Sequence, residues 1–149
     1  MDLWSLMGVS RKVEEKRQDS EILYYQDLKD STKTIHQILR QKIADPTSEI
    51  TKLNFSMQRQ QISTFFHSTI KVLQDQGKVM ESELKKYDPM EFPMDKRPIL
   101  KAWRELMNSI QSLKNDPEHA HLHVRELQHH ANTYLKASEP LLKLSTIRK

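Results

Sequence analysis

Glycine is almost missing from this chain, with only Gly8 and Gly77 among 149 residues. Hairpin turns and phosphate-cradling loops need glycine where φ is positive or where a ligand must approach the backbone closely. Two isolated glycines therefore exclude dinucleotide-binding and P-loop architectures. No Val/Ile/Thr-rich alternation runs long enough to specify a sheet. Cysteine is absent altogether, which removes disulfide frameworks and thiolate zinc sites and fits a reducing compartment. No stretch approaches the ~20 apolar residues that cross a bilayer. The opening run, Met1 to Val9, is apolar but has no basic flank, so it does not read as a signal peptide. Asp2 stands where myristoylation needs glycine. The sequon Asn54-Phe55-Ser56 reads as a chance match, and the chain is expected in the cytoplasm or nucleus.

What the sequence does carry is charge and helical periodicity. Charged residues make up 30% and apolar residues 36%, the latter below the globular average of about 45–50%. Mean hydropathy is −0.76. That balance suits exposed amphipathic helices, and 149 residues suffice for one core. The steps Asp45-Pro46, Asp88-Pro89 and Asp116-Pro117 punctuate the chain. The residue before proline resists helical geometry, Asp caps, and Pro is welcome at the first helical position.

Four helices follow from these stops. The first is expected from about Ser10 to Ala44, with a stripe of Val13, Tyr24, Leu28, Ile35, Ile38, Leu39 and Ile43. The second is expected from about Pro46 to Tyr87, along Phe55, Ile62, Phe66, Leu73, Met80, Leu84 and Tyr87. An offset set, Ile50, Leu53 and Met57, requires a change of face or a break near Met57. A proline-rich linker occupies about 88–97. The third helix, Pro98 to Asn115, has the cleanest face: Ile99, Leu100, Trp103, Leu106, Met107, Ile110 and Leu113. The fourth runs from about Pro117 to Ser138, ending where Glu139-Pro140 bends the chain. The organisation expected is an apolar anchor segment at 1–9, a helical bundle at 10–139 and a short apolar-basic tail at 140–149.

Lengths then suggest function. The first two helices would reach roughly 50–60 Å and the last two roughly 27–33 Å at 1.5 Å per residue. The fold expected is therefore all-α: an elongated bundle on a long antiparallel hairpin, with two shorter helices covering part of it. The uncovered apolar seam needs a partner, because tertiary packing supplies most helix stability. Leu53 to Ile70 holds Arg59 as its one residue of fixed charge. Its Phe, Met and Ile side chains match either the centre of the core or an interface. Candidate partner contacts are Phe55, Met57, Ile62, Phe65 and Phe66, with Leu3 and Trp4 as a terminal anchor.

Other chemistries find less support. Five of the seven histidines lie between His119 and His130. His119, His123, Glu126 and His130 share one helical stripe and are the metal-ligand candidates. Two Glu-x-x-His fragments occur there, but a di-iron bundle needs them on separate helices, and a wet histidine stripe is the simpler reading. No nucleophile elbow exists, so neither an enzyme nor a cofactor is expected. The net charge is +4, yet bases and acids interleave: eight to seven up to Ala44, six to six from Asp45 to Asp88. That pattern belongs to salt-bridge-laced helices rather than to a specific nucleic-acid surface. The expectation is a non-enzymatic scaffold or adaptor binding another subunit or a second copy. A peripheral membrane or nucleic-acid module and a metal-binding four-helix protein are the alternatives.

Overall fold

The computed structural model describes residues 25–53, 59–87 and 92–145. Every regular element among the described residues is helical. Helix α1 spans Gln26–Leu39 and passes into a π-helical turn, Arg40–Ala44. It buries Leu28, Ile35, Leu39 and Ile43 at helical spacing. It stops at Asp45, whose extended backbone (φ −82°, ψ 149°) is what a following proline imposes.

The helix expected from Pro46 does not form as one rod. Ser48 is extended, a short 3-10 turn covers Glu49–Lys52, and Leu53 is extended again. Local hydroxyls explain the break. Ser48 Oγ shares its one proton between Asp45 O (2.6 Å) and Ile43 O (2.9 Å), and Thr51 Oγ1 shares its own between Ser48 O (2.6 Å) and Pro46 O (2.9 Å). These bonds compete with the helical ladder. Helix α2 is three consecutive stretches: Arg59–Phe65, a π turn at Phe66–Ile70, and Lys71–Lys85. The π turn shifts the register, so Thr69 and Ile70 are both buried. Helix α3 spans Arg97–Asn115 with a proline in its first turn and stops before Pro117.

Helix α4 spans Ala120–Leu142. The helix does not end near Ser138 as expected, because α4 runs through Pro140 to Leu142. The proline loses one hydrogen bond near the helix end, while Leu141 and Leu144 are drawn into the core. Lys29 Nζ reaches back to Leu144 O (3.2 Å) and pins this end to α1.

Helices α3 and α4 pack as one pair, the Lys71–Lys85 part of α2 packs on α1, and α1 packs on α4. The start of α1 meets the end of α2 where Tyr25 lies 4.8 Å from Tyr87, ring centre to ring centre. Phe92 completes this cluster. Lys96 closes the last turn of α2 by donating to Leu84 O and Tyr87 O, a favourable place for a cation. Described helical lengths are closer to equal than the sequence suggested: α1 with its π turn runs from 26 to 44 and α2 from 59 to 85. Residues 10–24 of the expected first helix lie outside the described residues.

One layer crosses the whole bundle. Gly77 of α2 lets α3 approach so closely that a Cβ there would stand 1.9 Å from Trp103 Cζ2. Trp103 packs on Tyr134 of α4 (5.2 Å), and Tyr134 packs on His36 of α1 (6.0 Å).

Candidate functional site: a groove between α2 and α3

Helices α2 and α3 pack only sparsely on each other, and the bundle is open along that side. The opening is a groove of about 1300 Å³. Ile62, Phe66 and Ile70 line it from α2, and Trp103, Met107 and Ile110 from α3. The π turn of α2 positions its wall, because Ile62, Phe66 and Ile70 recur every four residues. Lys71, Asp75, Lys78 and Glu81 form one lip, with Lys114 and Glu118 on the other. None of these six pairs with an opposite charge among the described residues.

The expected contact residues divide. Ile62 and Phe66 are half-buried and line the groove. Phe65 does not join them. It is 3% exposed and touches Phe66 edge to face, because one residue turns the helix by roughly 100°. Leu3, Trp4, Phe55 and Met57 lie outside the described residues. The α3 wall was missed as a surface. Its signal was the width of the third helix's apolar set: Met107 and Leu100 flank the buried stripe and remain half-exposed.

The histidine stripe also divides. His119 Nδ1 and His123 Nε2 each lie 3.0 Å from Asp116 Oδ2. His130 Nδ1 faces Glu105 at 3.6 Å, and Glu126 is exposed. No group of three His, Asp or Glu side chains among the described residues is arranged to hold a metal ion. Asp116, which sequence spacing did not single out, instead gathers two imidazoles at the start of α4. Hydrogen bonds from His123 and then His119 hold its carboxyl below the ordinary carboxylate range. The same carboxylate raises His119.

A serine–histidine contact lies in the core. His36 Nε2 is 2.7 Å from Ser138 Oγ. The Ser138 hydroxyl donates to Tyr134 O (2.6 Å), so His36 Nε2 is the donor in that contact. A general base would have to accept instead, and both side chains are buried. The pair ties α1 to α4. Burial, followed by the charge of Arg40, lowers His36 to about 4 against an opposing pull from Glu139. His36 Nδ1 and Tyr134 Oη have no hydrogen-bond partner among the described residues.

No helix among the described residues is long and apolar enough to cross a membrane. Compared with protein families, characterised proteins and solved structures, the chain matches none.

Proposed function

We propose that this chain is a non-enzymatic interaction subunit, a scaffold or adaptor, that takes an amphipathic helix of another protein between α2 and α3. The observation that carries the reading is the unfilled groove itself. Three turns of helix, about 16 Å long and 10 Å across, fill about 1,250 Å³, close to the 1300 Å³ of the groove. Half-exposed Ile62, Phe66 and Met107 supply apolar anchors between lips of both charges. Helix-in-groove recognition uses such a floor and rim, with a few buried anchors dominating affinity. The cysteine-free composition favours a cytoplasmic or nuclear setting for this role.

The test is co-purification from the native source with the intact chain and with Phe66→Glu and Met107→Lys variants. Far-UV circular dichroism and thermal melts would verify that each variant is folded. Loss of specific partners from both folded variants is expected. Partners retained unchanged by both would sink the reading.

A further inference from the structure

We infer that the face shared by α1 and α4 binds the phosphate backbone of a nucleic-acid duplex without reading its sequence. The inference does not rest on the α2/α3 groove, which opens on another side of the bundle.

Along the chain bases and acids interleave, but folding sorts them. Four contacts align α1 with α4 in opposite directions. Lys29 Nζ donates to Leu144 O, His36 Nε2 to Ser138 Oγ, Asn132 Nδ2 to Ala44 O and Gln128 Nε2 to Asp45 O. They also fix which stripe of each helix borders the seam. On α1 and its π turn the stripe is Lys29, Lys33, His36 and Arg40, at helical spacing. On α4 it runs from Arg125 through Gln128, Asn132, Lys136 and Glu139 to Lys143, just past the helix end. The acids Asp27, Asp30 and Glu126 are turned roughly 90–150° away from these stripes.

Lys33, Arg40, Arg125, Lys136 and Lys143 are exposed, and none forms an ion pair among the described residues. Glu139 is the one acid within the two rows, and Asp45 bounds their far end. The lips of the α2/α3 groove, by contrast, balance three bases with three acids.

The chemistry of the face selects the partner. The exposed large apolar side chains among the described residues are Val72, Val79 and Leu122, all off these stripes. The face therefore presents no large apolar side chain to sink into a bilayer or to stack on unpaired bases. Cations without aromatics suit duplex phosphates, which are held by charge with no base readout. Packed helix axes stand roughly 8–10 Å apart, between the widths of the minor and major grooves, about 6 and 12 Å. One duplex can therefore set a phosphate strand against each row.

The experiment follows fluorescence anisotropy of two labelled duplexes, about 20 base pairs each and unrelated in sequence, titrated with the full chain. Both should bind alike, and five phosphate contacts give a roughly 500-fold loss of affinity between about 50 and 200 mM salt. Lys33→Gln/Arg40→Gln and Lys136→Gln/Lys143→Gln, each verified as folded by circular dichroism, should weaken binding about 10-fold. Each should also lower the salt slope by about 2. Lys71→Gln/Lys78→Gln removes the same charge from α2 and should change affinity by less than about 2-fold. Phe66→Glu and Met107→Lys should leave duplex binding in place, which separates this face from the groove. No binding at about 50 mM salt, or equal weakening by the α2 substitutions, would overturn the inference. So would tighter binding to a single strand, to polyglutamate, or to phosphatidylcholine vesicles containing about one-third phosphatidylserine.

Discussion

Replacing Gly77 by alanine sets two opposing effects against each other. In a helix interior the change ordinarily stabilises by about 1 kcal/mol, because alanine has less backbone entropy to lose. Here the new Cβ would lie 1.9 Å from Trp103 Cζ2, 2.6 Å from Cε2 and 2.7 Å from Cη2. Ordinary carbon contacts begin near 3.5 Å, so the indole must retreat by well over an ångström. It has little room to do so, since Trp103 is 3% exposed and backed by Tyr134. Overpacking of this kind costs about 1–3 kcal/mol, occasionally more. A displaced Trp103 would also disturb the Tyr134–His36 contacts behind it, so we place the gross cost at or above about 3 kcal/mol. The expected net result is a loss of about 2 kcal/mol, or roughly 4–8 °C in melting temperature for a domain of this size. Chemical and thermal unfolding followed by circular dichroism would measure it. Trp103→Leu alone should be destabilising through its cavity. In that background Gly77→Ala should become neutral or stabilising, giving a coupling of about 2 kcal/mol or more between the sites. A higher melting temperature for Gly77→Ala in the intact chain would refute the reasoning.

His36 makes stability depend on pH. Its folded value of about 4 lies below the ordinary 6.5, so between the two the unfolded chain binds a proton that the folded chain does not. Stability should be full above 6.5 and fall towards pH 4 by up to about 3 kcal/mol. His36→Gln, which keeps a donor for Ser138, should flatten the profile in that window, as urea titrations at stepped pH would show. Asp116→Asn should return His119 from its raised value towards the ordinary 6.5, measured by NMR titration; an unchanged His119 would dismiss Asp116 as the cause. Leu141, fully buried behind Pro140, should cost about 2–5 kcal/mol when cut to alanine. Leu122, 50% exposed, should cost within about 0.5 kcal/mol. Equal costs by denaturant titration would contradict the placement of the α4 end.

Much of the fold was legible where local rules and tertiary packing agree. The third helix was read almost residue for residue, because Pro98 starts it, Asp116-Pro117 stops it and Ile99 to Leu113 repeats at helical spacing. The stop at Asp45-Pro46 was equally plain. Reading failed where local and long-range forces conflict. The Asp45-Pro46 step started the second helix at Pro46, although the offset of Ile50 and Leu53 already argued for a break, and the Ser48 and Thr51 hydroxyls hold that stretch in other geometry. Pro140 signalled a helix end that the burial of Leu141 and Leu144 overrides.

For the candidate site, the sequence by itself determined the ingredients: Ile62 and Phe66 on one helix, Trp103 and Met107 on another, and almost no glycine with which to build anything but helices. Only the tertiary structure decided that these two walls face each other across an open side, that Phe65 turns inward, and that Asp116 draws His119 and His123 together. The physical reason is that periodicity records which side of each helix is apolar. It does not record how closely two helices approach, and here that distance is set at the notch where Gly77 receives Trp103.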